Sequence, residues 1–372
     1  MSRAGQSVLI MAGGTGGHIF PGLAVADSLR SHGVEVRWLG ARGGMECQRV
    51  PAWGIPLDVV DISALRGKGV LRWLQAPWRL MRAVFQAAGL IAARRPACAI
   101  SFGGYAAGPG GLAAKLRGVP LLVHEQNRVP GMTNRVLSRF AARVLQAFPG
   151  TWEERLSPVT CGNPVRQDVA ALEAPADRLA GRSGPVRLLV TGGSQGSRAL
   201  NSLVPAALNV SPAGRLIEIR HQCGRGWLEE TRDAYRTAGL SAEVSEFIED
   251  MADAYGWADA VVCRAGALTV SEVAAVGLAA LFVPYPHAVD DHQTRNAEFL
   301  VERGAALLLS ETGLDAEQLA ASLDDLLSDR GRLINMATRA RAAAAPDAAA
   351  RVAEICREFM APGEPADRTC NP

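Results

Sequence analysis

Two glycine-rich loops are the residues of this sequence best suited to chemistry. Residues 13–18 read GGTGGH and residues 192–197 read GGSQGS, and each loop follows an apolar run and precedes a helical pattern. Glycines let the backbone turn sharply towards an anion, which the free N–H groups and positive dipole of the next helix then hold. A single loop of this kind is as often a tight turn between a strand and a helix as it is a phosphate-binding site. Two loops in equivalent places predict two phosphate-binding sites.

Neither loop matches the two commonest nucleotide-binding motifs. A dinucleotide fingerprint counted from Gly14 requires glycine at position 19, which is Ile19, and the second apolar run, VRWLGAR, lacks the acidic residue that binds ribose. Neither loop continues into Gly-Lys-Ser/Thr, as a P-loop would. An NAD-binding dehydrogenase is therefore only a minor alternative.

Further polar loops follow other apolar runs. They read SFGGYAAGPGG (101–111), HEQNRVPG (124–131), CRAGALTVSE (263–272) and PHAVDDHQTRNA (286–297). In open α/β sheets, ligands bind where the carboxyl ends of the strands meet. His287 and His292 lie five positions apart on an irregular loop, which does not form a convincing zinc pattern. We expect a binding cleft that requires no metal.

The elements that must position these loops are short apolar runs alternating with helical patterns. In the first half the runs are VLIMA, EVRWLG, ACAISF, PLLVHE and ARVLQAF. The rhythm restarts at VRLLVT and continues through RLIEIRHQCG, AEVSEFIEDM, DAVVCR and AALFVPYP. Such alternation indicates βαβ units and parallel sheets. The predicted fold class is α/β, with two Rossmann-like domains facing each other across a cleft.

The boundary between the two domains is predicted near CGNPVRQDV, where Gly162 and Pro164 interrupt the pattern. This places an N-terminal domain over residues 1–163 and a C-terminal domain over residues 164–340. Residues 341–372 are predicted to form a C-terminal helix that packs back towards the N-terminal domain, followed by a frayed tail.

Composition excludes several classes of protein. The chain has 372 residues, of which 48% are hydrophobic and 20% charged, and its net charge of +2 is too small to indicate nucleic-acid binding. The seven cysteines include no Cys-x-x-Cys pair, which favours a reducing cytoplasm. The N-terminal apolar run is too short for a signal peptide, and no run approaches the ~18 residues of a membrane span.

Residues 64–96 combine tryptophans and other large apolar residues with many arginines. Trp73, Trp78, Met81 and Phe85 recur at helical spacing, with Leu74 beside them. Such a stripe often faces the protein's own core. The surrounding cations favour the other interpretation, a helix lying in an anionic membrane interface. We expect peripheral membrane binding.

Together these motifs resemble those of the MurG family, the bacterial N-acetylglucosamine transferases that convert lipid I to lipid II. The matching motifs, in order, are GGTGGHIFPGLAVA, ALRGKG, GGYAAGP, HEQN, GNPVR, GGSQG, HQCG, FIEDMA, RAGALTVSE and DDHQTRNA. The resemblance implies a GT-B fold and an inverting transfer. Its donor would be UDP-N-acetylglucosamine, and its acceptor lipid I, which is undecaprenyl-pyrophosphoryl-N-acetylmuramyl-pentapeptide.

An inverting displacement needs stabilisation of the departing diphosphate. No Asp-x-Asp motif is evident in the polar loops, so helix N-termini and cations must supply it. The resemblance assigns Glu272 to the ribose hydroxyls, Gln293 to the donor sugar and the backbone of Ile248 to uracil. The full set of expected donor contacts is Thr15, Gly16, Gly17, Asn127, Arg166, Ser194, Ile248, Ala267, Leu268, Thr269, Val270, Ser271, Glu272 and Gln293.

The reaction also needs a base for the acceptor hydroxyl. His18 is the first candidate, because an imidazole titrates near pH ~6.5 and His18 adjoins the first glycine loop. A lone histidine in a loop is often only a hydrogen-bonding residue; His124 and Glu125 are the other candidates. The expected acceptor contacts are Gly13, Gly14, His18, Gly103, Gly104, Tyr105 and His124.

The resemblance further implies no cofactor and no required metal. The partners would be UDP-N-acetylglucosamine, lipid I and the anionic cytoplasmic surface of the bacterial inner membrane. Other cell-wall synthesis and division proteins are further candidate partners, and no nucleic acid is expected to bind. Two alternatives stay open. Another GT-B enzyme, such as a UDP-N-acetylglucosamine 2-epimerase, needs no lipid-facing helix, and a non-catalytic UDP-sugar sensor tolerates loss of His18 and Glu272.

Overall fold

The structure, a computed structural model, describes residues 7–62, 70–193, 195–211 and 217–360, without the side chains of residues 70–75 and 289. It contains two lobes, each built on one parallel sheet with helices on both faces. The α/β fold class with two Rossmann-like domains is therefore confirmed. Among the described residues, no helix combines the length and the apolar character needed to cross a bilayer.

The N-terminal lobe has a seven-stranded sheet in the order β3-β2-β1-β4-β5-β6-β7. Its strands are β1 (Ser7–Ala12), β2 (Glu35–Ala41), β3 (Leu57–Val60), β4 (Cys98–Gly103), β5 (Leu121–Glu125), β6 (Arg143–Gln146) and β7 (Val159–Thr160). Its helices are α1 (Gly16–Ser31), α2 (Glu46–Ala52), α3 (Val70–Arg94), α4 (Ala107–Leu116) and α5 (Met132–Leu137).

The C-terminal lobe has a six-stranded sheet in the order β10-β9-β8-β11-β12-β13. Its strands are β8 (Val186–Thr191), β9 (Ile217–Gln222), β10 (Glu243–Ser245), β11 (Ala260–Cys263), β12 (Ala279–Phe282) and β13 (Ala306–Leu308). The remaining helices are α6 (Gln167–Ala170), α7 (Pro175–Arg178), α8 (Arg198–Val210), α9 (Leu228–Thr237), α10 (Met251–Trp257), α11 (Ala267–Val276), α12 (His292–Val301), α13 (Ala316–Leu327), α14 (Arg330–Ala342) and α15 (Ala348–Arg357).

Burial of both sheet faces explains why the strands are continuous apolar runs. In β1, Val8 and Ile10 belong to the core beneath α1, whereas Leu9 and Met11 belong to the core beneath α4. Alternate residues of a strand point to opposite faces, so a sheet covered on both sides needs apolar residues throughout. Sequence analysis missed β3, β7 and β13, which are short strands at the sheet edges.

The chain passes between the lobes twice, and the two crossings touch. After β7 it enters α6, which packs on α10 and α11 of the C-terminal lobe. After α14 it returns to α15, which packs on α1 and adds Val352 and Cys356 to the N-terminal core. Gly162, with φ +84°, lies so close to Ala345 that a β-carbon would clash with it. The two connections therefore form one compact hinge.

Candidate active site

The first glycine loop and the loop after β4 form one surface at the carboxyl end of the N-terminal sheet. Gly104, with φ +91°, lies against the carbonyl of Gly13, where any side chain would clash with that oxygen. The exposed Tyr105 ring covers Gly14, and a β-carbon at Gly14 would lie 3.6 Å from it. The structure thus brings Gly13, Gly14, Gly104 and Tyr105 together, as their shared assignment to the acceptor requires.

His18 lies in the first turn of α1 with a defined ring orientation. Its Nδ1 is 3.1 Å from the carbonyl oxygen of Gly13, an atom that can only accept, so Nδ1 carries the proton in the neutral ring. The Nε2 edge faces Gly103, where a β-carbon would lie 3.3 Å from Nε2. The lone pair of Nε2 has no hydrogen-bond partner among the described residues. His18 is therefore oriented to accept a proton.

The N-terminus of α1 leaves backbone donors available. Thr15 is the N-cap residue and makes no capping bond, and in the described part of the chain the N–H groups of Thr15, Gly16 and Gly17 have no acceptor. Unpaired N–H groups at a helix start favour an anion. Gly14 differs, because its N–H donates to Oε2 of Glu46 at 3.1 Å. Only part of the predicted loop can therefore hold a phosphate.

The structure contradicts the prediction that His124 contacts the acceptor. The ring is fully buried in β5, where Nε2 donates to the carbonyl of Gly162 at 2.9 Å and Nδ1 accepts from Gln126 at 3.1 Å. Burial lowers the pKa of His124 from 6.5 to about 4. A neutral ring with both nitrogens occupied holds β5 to the hinge and cannot reach a substrate.

Glu125 is likewise not placed to act as a base. Its buried carboxylate accepts four hydrogen bonds: one oxygen takes the backbone and side-chain amides of Asn127, at 3.0 and 3.1 Å. The other takes the Gly131 N–H at 3.1 Å and the Asn134 amide at 2.9 Å. All its lone pairs are used to shape the loop after β5. Sequence reasoning recognised the polar residue but not that it folds the loop around itself.

Asn127 lies where the two lobes meet. Its Oδ1 accepts from Nδ2 of Asn296, a fully buried residue of α12, at 3.1 Å. Asn296 also accepts from the Arg128 N–H at 2.9 Å and donates to the carbonyl of Ala265 at 3.2 Å. Asn127 is thus bonded to the opposite lobe, and it is half-buried at the cleft. Sequence analysis did not single out Asn296, although it lies in the polar loop segment DDHQTRNA.

The helix after the second glycine loop is already capped. Ser197 accepts from the Leu200 N–H at 3.3 Å and from Nη2 of Arg264 at 2.7 Å. Arg264 in turn forms an ion pair with Glu311. The cap satisfies the Leu200 N–H, whereas the N–H groups of Arg198 and Ala199 have no acceptor among the described residues. Ser194, the predicted donor contact in this loop, lies outside the described residues.

The N-terminus of α11 has no side-chain cap, in contrast to that of α8. Gly266 is its N-cap residue, no side chain caps it, and the N–H groups of residues 267–269 have no acceptor in the described ranges. Gln293 orders the adjacent loops, because its Oε1 accepts from Ala265 at 3.3 Å and from Tyr285 at 3.0 Å. Its NH₂ group has no acceptor within the part of the chain that the structure describes. Since α1 and α11 contact each other, the two open helices belong to facing lobes of one cleft.

Not every predicted residue of α11 can contact a ligand. Val270 is fully buried and its N–H donates to the carbonyl of Gly266 at 2.9 Å. The Ser271 hydroxyl donates to the carbonyl of Ala267 at 2.9 Å. The N–H of Ile248 is also occupied, because it donates to Gln222 at 3.1 Å. These groups stabilise the site. Of the backbone of Ile248, only the carbonyl oxygen is left to contact uracil.

Glu272 is the one acidic group of α11, and it is almost completely buried. Its Oε2 accepts from the Tyr255 hydroxyl at 3.1 Å, and its Oε1 lies 3.8 Å from Nη2 of Arg166. Burial raises the pKa of Glu272 from 4.5 to about 7, although the charge of Arg166 acts against this rise. The carboxyl is therefore divided between its two protonation states near neutral pH.

The described residues contain no group of three or more His, Cys, Asp or Glu side chains arranged to hold a metal ion.

Helix α3 carries an apolar stripe that faces outwards. Trp78, Met81 and Phe85 are 67%, 44% and 70% exposed, whereas Ala83 and Ala87 of the same helix are buried. The interpretation of this stripe as part of the protein core is therefore wrong for these three residues. Trp73 and Leu74 belong to the same helix, but their side chains lie outside the described residues.

Comparison with known proteins matches this two-lobed cleft. The glycosyltransferase family 28 N-terminal domain matches residues 8–146, and the family 28 C-terminal domain matches residues 187–352. A UDP-N-acetylglucosamine–N-acetylmuramyl-(pentapeptide) pyrophosphoryl-undecaprenol N-acetylglucosamine transferase of Xanthomonas campestris is 58% identical over 94% of this chain and 81% of the relative. The corresponding transferase of Xylella fastidiosa is 54% identical over 95% of this chain and 96% of its own.

The chain belongs to the MurG family of glycosyltransferases.

The resemblance noted in the sequence is thus confirmed, and the protein is a glycosyltransferase with a GT-B fold. The crystal structure of Acinetobacter baumannii MurG superposes with a TM-score of 0.82 at 42% identity, covering 95% of this chain and 99% of that one. A UDP-N-acetylglucosamine 2-epimerase from Neisseria meningitidis has a TM-score of 0.67 but only 12% identity over 95% of this chain and 100% of its own, which shows a shared fold alone.

Proposed function

We propose that this MurG-family enzyme transfers N-acetylglucosamine from UDP-N-acetylglucosamine to the C4 hydroxyl of N-acetylmuramic acid in lipid I. The product is lipid II, the lipid-linked precursor of peptidoglycan. The names of the relatives support these substrates. The observation that carries the proposal is the open Nε2 of His18 in a cleft between two uncapped helices, because this provides a base and two anion sites.

The donor diphosphate would lie at the N-terminus of α11. Its N–H groups and the guanidinium of Arg166 can neutralise the charge that develops as UDP departs. Glu272 would accept the ribose hydroxyls, and its ionised form makes the stronger hydrogen bonds. Gln293, whose Oε1 is held by two backbone N–H groups, would turn its NH₂ group to the sugar. These contacts supply the leaving-group stabilisation without a metal.

His18 would remove the proton from the attacking hydroxyl. Nε2 accepts that proton, while the bond from Nδ1–H to Gly13 keeps the ring in one orientation. The hydroxyl oxygen then displaces UDP from the opposite side of the anomeric carbon, which inverts its configuration. The proton stays on the imidazolium until the product leaves.

The acceptor pyrophosphate would lie at the N-terminus of α1. Since Gly14 donates to Glu46, the donors for this anion are the N–H groups of Thr15, Gly16 and Gly17. Tyr105 stands beside this loop as an exposed aromatic wall. The sequence-based prediction has the first loop hold chiefly the acceptor pyrophosphate with residues 15–17 also near the donor sugar, and the same three N–H groups would serve both.

The exposed stripe of α3 supports peripheral binding to the cytoplasmic face of the bacterial inner membrane. Trp78, Met81 and Phe85 follow the spacing i, i+3, i+7, so they lie on one side of the helix. Arg82 beside them has a side chain that is 64% exposed, and can contact anionic headgroups. A lipid-linked acceptor would be presented at this surface. Roles in cell shape and division, and protein partners from those processes, belong to the same proposal.

One assay tests the proposed reaction. The protein is incubated with radiolabelled UDP-N-acetylglucosamine and a short-chain lipid I analogue, with and without EDTA, and we expect labelled disaccharide-lipid in both cases. Loss of transfer in EDTA with recovery in Mg²⁺ would show a required metal. Binding of the donor without transfer would replace the proposal with a sensor, and formation of the 2-epimer would replace it with an epimerase.

A further inference from the structure

Glu46 is a buried carboxylate that the proposed reaction does not use. It lies at the start of α2 and is fully buried, yet it forms no ion pair with any described residue. Its Oε1 accepts from the Ala41 N–H at 2.8 Å and its Oε2 from the Gly14 N–H at 3.1 Å. A buried carboxylate without a cation is costly unless its oxygens are hydrogen-bonded. Its position directly beneath the first glycine loop therefore requires a reason.

The surrounding backbone is shaped to admit this side chain. Gly13, Gly40 and Gly44 all lie so close to Glu46 that a β-carbon at any of them would overlap its atoms. Three glycines from three different segments thus enclose one carboxylate. Such close enclosure leaves Glu46 few alternative rotamers and fixes the direction of its bond to Gly14.

The bond from Gly14 and the bond to His18 belong to the same peptide group. The N–H of Gly14 donates to Glu46, and the carbonyl of Gly13, the other end of that peptide, accepts from Nδ1 of His18 at 3.1 Å. Hydrogen bonds in series polarise one another, so a negative charge at the N–H end strengthens the carbonyl as an acceptor. The series is carboxylate, peptide, imidazole. It resembles the carboxylate–histidine arrangement of hydrolases, with a peptide inserted.

We propose that Glu46 is a positioning residue for His18, acting through the Gly13–Gly14 peptide to hold the imidazole as the Nδ1–H tautomer and to strengthen Nε2 as a base. Glu46 does not touch the substrate. This inference rests on the proposed role of His18 in proton removal, but its structural half, the tautomer, does not depend on any activity. The same bond also commits the Gly14 N–H to the protein, which restricts the anion site to residues 15–17.

The test uses Glu46→Gln, with Cys47→Ala as its matched control. Cys47 is the next residue of α2 and its thiol donates to the Ala41 carbonyl at 3.4 Å, outside the relay. Nitrogen chemical shifts of the ¹⁵N-labelled His18 ring report which nitrogen carries the proton. In Glu46→Gln we expect a mixture of tautomers, and in Cys47→Ala the single Nδ1–H form. Folding of both variants is verified by their melting curves.

The second readout is the pH profile of transfer. A nearby negative charge favours a cation beside it, so its removal should move the acid limb of kcat/KM to lower pH and lower the plateau several-fold. KM for UDP-N-acetylglucosamine should not change. The other titratable or charged groups on α1 and on the elements that contact it are Asp27, Arg30, Glu35, Arg37, Cys98, Glu272, Arg351, Glu354, Cys356 and Arg357, and Tyr105 stands beside the first glycine loop. None of them is altered in Glu46→Gln, so the movement of the limb is assigned to Glu46.

The outcomes separate the relay from the proposed reaction. A changed tautomer ratio together with a shifted limb supports both. A changed ratio with no shift in the limb supports the tautomer half of the proposal and overturns the strengthening of Nε2 as a base. A changed ratio with no transfer by any form of the protein, wild type included, supports the tautomer half and overturns the proposed reaction. A folded Glu46→Gln variant with the wild-type ring spectrum overturns the relay. If that variant does not fold, the test is the chemical shift of the Gly14 amide in the wild-type protein. This shift should change with pH together with the signals of the His18 ring. A Gly14 shift that does not follow the ring overturns the relay.

Discussion

The buried carboxyl of Glu272 should make the protein less stable as pH rises, and the substitution Glu272→Gln should remove this effect. The folded-state pKa is raised from 4.5 to about 7, so between these values the folded state keeps a proton that the unfolded state has lost. Stability therefore falls across this interval and levels off above it. A difference of this size corresponds to about 3 kcal/mol at pH 8. Glutamine is neutral at every pH and escapes the loss.

Thermal unfolding measured at pH 5 and pH 8 tests this reasoning. At pH 5 the variant and the wild type should melt within about 3 °C of each other, because the carboxyl is then still protonated in the folded state and only the unfolded state has begun to ionise. At pH 8 the C-terminal lobe of the variant should melt roughly 6–12 °C higher, since about 3 kcal/mol is spread over a lobe of this size. The Tyr255 hydroxyl can still donate to the amide oxygen of the glutamine. The control is Glu354→Gln, at an exposed position. Its melting temperature should differ from that of the wild type by the same amount at pH 5 and at pH 8.

The stabilised variant should nevertheless bind its donor poorly. An ionised carboxylate makes hydrogen bonds to ribose hydroxyls that are stronger than those of an amide, so KM for UDP-N-acetylglucosamine at pH 8 should rise by about ten- to a hundredfold. In the wild type, the same KM should fall between pH 6 and pH 8 as Glu272 ionises. The reasoning is refuted if Glu272→Gln is less stable than the wild type at pH 8, because the ionised carboxylate would then be favourable in the folded protein.

Three further predictions concern the other groups of the site. His18→Gln should lower kcat by about a hundred- to ten-thousandfold and leave donor affinity unchanged, because only the transferred proton loses its acceptor. Steady-state kinetics measures kcat and calorimetry measures donor affinity. An unaltered kcat excludes His18 as the base. Replacement of Trp78, Met81 and Phe85 by serine should weaken binding to anionic vesicles at least about tenfold. The control Val210→Ser, at an exposed position in the other lobe, should bind as the wild type does. If the triple variant and the control sediment equally with vesicles, the stripe of α3 does not bind the membrane. Asn296→Ala should cost about 2–3 kcal/mol of stability, since Asn127 and the Arg128 N–H lose a buried partner; an unchanged denaturation midpoint would show that the lobes are held together elsewhere.

Several features of the site could be predicted because they depend on neighbouring residues. The first glycine loop, His18 and the start of α11 each follow a buried strand, and a strand followed by glycines and a helix is recognisable within about 15 residues. The structural functions of His124 and Glu125 could not be predicted from such a local pattern. Both are polar residues at the end of a strand, like true ligand contacts. Only their partners, Gly162 across the hinge and Gly131 in the folded loop, show that they serve the protein itself.

Capping separates the two kinds of helix start in the same way. Ser197 and Gly266 both precede a helix in a loop of small residues, but Ser197 is held by Arg264, a residue 67 positions away. Gly266 has no such partner within the described residues. The orientation of a capping side chain is therefore fixed in part by distant residues, which local sequence does not reveal.

By itself, the sequence determined the alternation of strands and helices, the two glycine loops and the family, because these depend on composition and spacing along the chain. The tertiary structure alone decided which polar groups are free. It placed Glu46 beneath a loop 32 positions earlier, enclosed Asn296 between the lobes and buried Glu272 deeply enough to raise its pKa to about 7. Burial and hydrogen bonding act between residues distant in sequence, and they set the charge and availability of each group.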